Sequence, residues 1–146
     1  MNPSGPLLDP GMSVIDVSAG LVFGNGRLLI TQRPPGGHLA GLWEFPGGKL
    51  EAGETFEAAL VRELREELDI EVEVGREFCR VQHAYPQREV RLRFFVCRIL
   101  SGSPKPIGCS AVEWVGPQDL SRFEFPEADR QLLDQLPNAP EFGPGT

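Results

Sequence analysis

Apolar and polar positions change period along this chain, and each change predicts an element. From 13 to 23 (SVIDVSAGLVF) apolar and β-branched residues alternate with small or polar ones, the period-two pattern of a strand. Gly24, Asn25 and Gly26 supply a tight turn, and 27–32, with LLIT at its centre, reads as the returning strand of a hairpin. A loop opened by Pro34, Pro35, Gly36 and Gly37 leads to a short apolar piece, 42–45, after which Pro46, Gly47 and Gly48 predict a strand-ending bend. From 55 to 68 the period lengthens to that of a helix, with Leu60, Val61, Leu64 and Leu68 on one flank. Thr55 is placed to cap it, and Glu57 falls in the first turn, where the helix dipole favours an acid. Two more runs, 70–81 and 89–100, predict strands separated by a turn around Tyr85, Pro86 and Gln87, with Val90, Leu92 and Phe94 on one face of the second. A short strand over 112–115 and a closing helix over 126–136, burying Leu132, Leu133 and Leu136, complete the pattern.

The order β-β-(β)-α-β-β-β-α predicts one α/β domain over 13–136, a mixed sheet with helices packed on it. The segments 1–12 and 137–146, rich in Pro, Gly and Asn, read as flexible tails. A length of 146 residues is enough for one buried core. The net charge of -7 opposes non-specific binding to nucleic acid, which needs a basic surface. It leaves nucleotides open, because a bound metal reverses the local field. Three cysteines without a CxxC spacing suit a reducing compartment. There is no apolar run of membrane-spanning length, and the first residues lack the basic flank and apolar stretch of a signal peptide, so a cytoplasmic protein is expected. Monomer and homodimer both remain open.

The chemistry concentrates between Gly48 and Ile70, GKLEAGETFEAALVRELREELDI. At about 100° per residue, Glu66 lies roughly 60° to one side of Glu63 and Glu67 roughly 40° to the other, so three carboxylates share one arc beside the apolar flank. An ordinary solvated helix face, with Arg62 paired to Glu66 at i,i+4, would produce much of this pattern. The glycine loop and Glu54 at fixed offsets favour another reading. Magnesium takes oxygen ligands, keeps waters, and is commonly held by a few carboxylates together with substrate phosphates.

This stretch resembles the Nudix box, Gx5Ex7REUxEExGU with U aliphatic, at every fixed position but one: Asp69 stands where the family has glycine. Asp tolerates left-handed backbone better than most residues, so a cost in stability and little in chemistry is expected. GLWEFPGGKLE before the helix, the Tyr85-Pro86 turn and FPEAD near the end resemble the MutT-like branch, which includes pyrophosphohydrolases of 8-oxo-dGTP and CTP. The resemblance implies an α/β/α sandwich and a magnesium-dependent hydrolase, with manganese as a substitute, that cleaves nucleoside triphosphates to monophosphate and pyrophosphate. It implies Glu63, Glu66, Glu67 and the Gly47 carbonyl as metal ligands, and Glu63 as the group that activates water. Glu54 would support that network and Arg62 would hold a glutamate in position. For substrate it implies Arg33, His38, Glu44 and Phe45, with Lys49 serving phosphates and Tyr85 lining the base pocket.

Two departures bear on specificity. Asp129 stands where relatives that recognise 8-oxoguanine have asparagine, and an ionised aspartate only accepts hydrogen bonds. It could take them from a purine N1–H and 2-amino group or from the 4-amino group of cytosine, which resembles the branch acting on CTP. Gly108 aligns with a loop glutamate that many relatives use as a further metal ligand or base; Glu113 is the nearest carboxylate in sequence. The alternatives are a Nudix hydrolase of a nucleotide sugar or dinucleotide, and a non-catalytic domain that binds an oxidised base. The latter, known from some adenine DNA glycosylases, usually lacks the acidic cluster retained here.

Overall fold

The computed structural model describes residues 13–37 and 39–143. The expectations for 1–12, His38 and 144–146 fall outside the described residues. Seven strands form one mixed sheet: β1 (Ser13–Gly24), β2 (Arg27–Gln32), β3 (Trp43–Glu44), β4 (Gly47–Lys49), β5 (Glu71–Tyr85), β6 (Arg88–Ser101) and β7 (Ala111–Val115). Helix α1 (Phe56–Leu68) covers one face, and α2 (Arg130–Gln135), framed by 3-10 turns, belongs to the other.

The sheet order is β3-β2-β1-β6-β5, with β4 pairing β1 and β7 pairing β2. β1 is central: it runs parallel to β6 from Ser13↔Arg88 to Phe23↔Arg98, and antiparallel to β2 and β4. A central strand is covered on both faces, which is why apolar residues run without interruption from Leu21 to Phe23. Alternation divides them. Ala19 and Leu21 join Leu28, Ile30, Phe94, Leu132 and Leu136 in one core, while Val22 joins Leu29, Phe95 and the α1 leucines Leu60, Leu64 and Leu68 in the other. Leu132 and Leu136 are fully buried and Leu133 partly so.

Both ends of α1 follow the sequence. Thr55 has extended backbone, and its Oγ1 accepts the Ala58 N–H at 3.0 Å. Asp69 closes the helix in the left-handed region (φ 57, ψ 44), the conformation that the family glycine would take without strain.

Other boundaries move. Gly47 and Gly48 do not end a strand; they form one, because Ser18↔Gly48 and Ala19↔Gly47 pair across to β1. The fifth strand continues past Val81 to Tyr85, since β6 gives it a partner at every step down to Arg88. The closing helix is shorter than 126–136: 3-10 turns at Glu127–Asp129 and Leu136–Asn138 flank six α-helical residues, the second of them carrying Pro137 in its first turn. Pro117–Arg122 adds a 3-10 segment that periodicity did not indicate. The described residues beyond Pro137 pack rather than fray. Ala139 is buried, Phe142 meets Phe23 edge-on at 5.0 Å, and Glu141 takes both a 2.8 Å and a 2.9 Å hydrogen bond from Arg76.

Candidate active site

A cleft of about 810 Å³ follows β1 and β6, walled by α1 at Glu63 and Glu67 and by the β5–β6 turn at Tyr85 and Arg88. β1 serves as its ruler: Gly48 pairs with Ser18 and Arg88 with Ser13. Five residues of strand put the acidic wall and the turn roughly 16 Å apart.

Two glycines bring the acids to this wall. A Cβ on Gly47 would fall 2.0 Å from the Ser18 carbonyl oxygen, so only glycine lets β4 lie against β1 there. A Cβ on Gly48 would fall 2.3 Å from the Glu63 carboxyl carbon, so the missing side chain is the space that the carboxylate fills. Glu67 accepts the Gly47 N–H and shares a hydrogen bond with Glu63. Burial pushes Glu67 up to about 8, helped by the charges of Glu63 and Glu44. Burial also raises Glu63, with Arg62 opposing the shift.

Arg62 is the hub behind them. Its Nε and Nη2 donate to Glu54 at 2.6 and 2.9 Å, and its Nη1 donates to Glu63 at 3.1 Å and to Glu66 at 3.3 Å. Nη2 also reaches the Lys49 carbonyl at 3.1 Å, tying the helix to β4. The Arg62 hydrogen bonds and the Glu51 N–H hold Glu54 down to about 2. Glu54 and Arg62 therefore act behind the cleft wall, while Glu63 forms it.

The three-carboxylate arc divides in two. Glu63 and Glu67 line the cleft, whereas Glu66 is drawn toward Arg62 on the outer side, with 59% of its side chain exposed. Among the described residues no group of three or more His, Cys, Asp or Glu side chains converges at metal-holding spacing. The helical wheel gave the arc correctly, but it carries no information on where a neighbouring guanidinium pulls one member.

Of the substrate-side expectations, Arg33, Glu44, Phe45, Lys49, Tyr85 and Asp129 all line the cleft. Arg33 Nη1 donates to Glu44 at 3.0 Å. Burial raises Glu44 against the pull of Arg33. Phe45 is only 5% exposed; it stacks on Phe125 at 5.0 Å and meets Phe94 edge-on, so it is cleft floor and core at once. Tyr85 packs edge-on against His83. Asp129 is buried at 6% exposure, and that burial, with Glu44 nearby, pushes it up to about 7. Near neutrality it is therefore divided between a form that only accepts and one that also donates.

Gly108 is in contact with Glu67: its N–H donates to the Glu67 carbonyl at 3.0 Å, and a Cβ would meet Glu67 Cγ at 3.3 Å. Glu113 is exposed, does not line the cleft, and alternates with Val112 and Trp114, which pack toward α1. It does not stand in for the loop glutamate. Sequence reasoning missed Arg88 and Ser18, which also line the cleft. Arg88 could have been found as the first residue after the Tyr85-Pro86-Gln87 turn. Ser18 shows only as a polar residue in an otherwise buried stretch of strand.

A family model described as NUDIX domain matches residues 18–135. The chain is 37% identical over 123 residues to the CTP pyrophosphohydrolase of Escherichia coli K12, covering 84% of this chain and 91% of that protein. It is 32% identical over 126 residues to the 8-oxo-dGTP diphosphatase of the same organism, covering 86% and 98%. The solution structure of the E. coli ORF135 protein superposes with a TM-score of 0.76 at 36% identity, covering 90% of this chain and 93% of that one. Among the described residues no helix is long and apolar enough to cross a membrane. On the acidic helix, the sheet that carries it and these likenesses, the chain belongs to the NUDIX domain family.

Proposed function

We propose that this chain hydrolyses nucleoside triphosphates of the 8-oxo-dGTP and CTP or dCTP class to nucleoside monophosphate and pyrophosphate, in sanitation of the nucleotide pool. The observation that carries this reading is the half-buried Glu63–Glu67 pair at the wall of a cleft that Asp129 also lines. Two carboxyls sharing a hydrogen bond in a half-buried site favour added positive charge, either a proton or a cation. That donor set, all oxygen, fits a divalent metal of the magnesium kind. Glu63 and Glu67 would hold it, with Glu66 as the outer member and the Gly47 carbonyl as a backbone contributor. A magnesium ion held there would supply charge neutralisation to the phosphates and acidity to the attacking water.

The residues of the chain do the rest. Glu63, its carboxylate steadied by Arg62, accepts the proton of the attacking water. Glu54 fixes Arg62 through two of its donors and keeps that guanidinium from swinging into the cleft. Lys49 makes no ion pair with any described residue and faces the cleft, so its ammonium is available to the phosphate chain. Arg33 and Glu44 form a paired wall beside it, and Tyr85 and Asp129 take the base. Three cysteines without a CxxC spacing are the ground on which a reducing, cytoplasmic setting is inferred.

The test is pyrophosphate release from CTP, dCTP, 8-oxo-dGTP and dGTP, and AMP release from ADP-ribose, with magnesium, on wild type, Glu63→Gln and Glu67→Gln. Release from the triphosphates, lost by at least about 100-fold in both variants, supports the assignment. Full activity in the variants overturns it, and exclusive cleavage of ADP-ribose moves the substrate to nucleoside diphosphate conjugates.

A further inference from the structure

Among the described residues, three buried side-chain polar atoms lack a hydrogen-bond partner: Ser18 Oγ, Thr31 Oγ1 and Arg93 Nε. Ser18 is fully buried and belongs to the lining of the cleft. A buried hydroxyl without a partner costs about 1–3 kcal/mol, and alanine would fill the same strand position without that cost.

The register shows what Ser18 is near. Directly opposed residues of an antiparallel pair project to the same face, and Ser18 is opposed to Gly48. The direction in which a Gly48 side chain would project is occupied by the carboxyl of Glu63, 2.3 to 2.6 Å from the position of a Cβ. Two residues along β1 on the same face, Gly20 lies against Leu60 and Leu64 of α1. The fully buried Ser18 side chain therefore projects to the α1 face of the sheet, near the level of Glu63. Arg62 Nη1 holds one Glu63 oxygen at 3.1 Å.

We propose that Ser18 is a positioning residue for Glu63, its hydroxyl donating to the carboxylate from beneath while Arg62 donates from the side. This rests on the hydrolase reading above. Beside Arg62 and the hydrogen bond shared with Glu67, a donor from beneath restrains rotation of the carboxylate about its Cγ–Cδ bond. In the present arrangement the hydroxyl has no hydrogen-bond partner, and the contact requires the Glu63 carboxyl to shift toward it. Its unpaired state is then a stability cost kept for orientation of the acid.

Ser18→Ala deletes the hydroxyl and keeps the Cβ; Ser18→Cys keeps a γ atom, slightly larger than the oxygen, and provides only a weak donor. Both are compared with wild type for Tm, for Mg²⁺ affinity by calorimetry without nucleotide, and for kcat and KM on the best triphosphate. The expected result is a Tm equal to or above wild type, with Mg²⁺ binding weakened and kcat lowered by about 10-fold in both variants and KM little changed. Wild-type Mg²⁺ affinity and kcat in both variants overturn the proposal. So does a loss of activity that follows a lowered Tm, which would make Ser18 a packing residue. If wild type itself hydrolyses no nucleotide, the hydrolase reading fails instead.

Discussion

Arg62 is one guanidinium facing four carboxylates, those of Glu51, Glu54, Glu63 and Glu66, with only 18% of its side chain exposed. Its planar fork serves Glu54 through two nitrogens while a third reaches Glu63, which the point charge of a lysine cannot reproduce. Arg62→Lys is expected to lower kcat by about 10–100-fold with little loss of fold, measured as kcat beside a thermal melt. Asp129 makes a different prediction. Its ordinary value is 3.8 and its folded value is about 7, so between those limits the folded chain keeps a proton that the unfolded chain has released. Folding stability then falls as pH rises from about 4 to about 7 and levels off above that. Glu67 acts in the same sense up to about 8. In Asp129→Asn the Asp129 part of this decline is removed, so the loss of Tm between pH 5 and pH 8 should be smaller than in wild type. An equal loss in both proteins would show that Asp129 titrates as it does in the unfolded chain.

At the scale of elements, the sequence was legible where one period persists. α1 was read to within a residue because its leucine flank, its Thr55 cap and its left-handed Asp69 all point to the same ends. The β4 strand was not, because glycines carry no side-chain period and only pairing to β1 makes Gly47 and Gly48 a strand. The candidate site divides along the same line. Glu63 and Glu67 are given by helix spacing, Asp129 by motif order, and Arg88 was within reach of the turn pattern, but Ser18 reaches the cleft through a pairing that no local pattern contains. The two glycines also predict different failures. Gly47→Ala meets the Ser18 backbone at 2.0 Å and should destabilise the protein by more than about 2 kcal/mol. Gly48→Ala meets only the movable end of Glu63, so activity should fall further than Tm does. Activity assays beside thermal melts of the two variants separate these outcomes.

For the whole molecule, the two cores are closed by segments far apart in the chain. The C-terminal part brings Ala139 into the core and Phe142 onto Phe23 of the first hairpin, and it ties Glu141 to Arg76 on the edge strand. Deleting residues 139–146 should lower stability by at least about 2 kcal/mol, read as a drop in the urea midpoint. An unchanged midpoint would mean that this packing adds nothing measurable. The parallel register of β1 with β6, from Ser13↔Arg88 to Phe23↔Arg98, has a temporal side. During synthesis the acidic helix leaves the ribosome before its sheet can be completed, because β6, the parallel neighbour of β1, begins only at Arg88, after the helix has ended at Leu68. Synthesis at about 5–20 residues per second is slow compared with helix formation. A half-made chain thus carries the charged residues of a reactive centre without the walls that would aim them, and it becomes competent only when its last third has been translated.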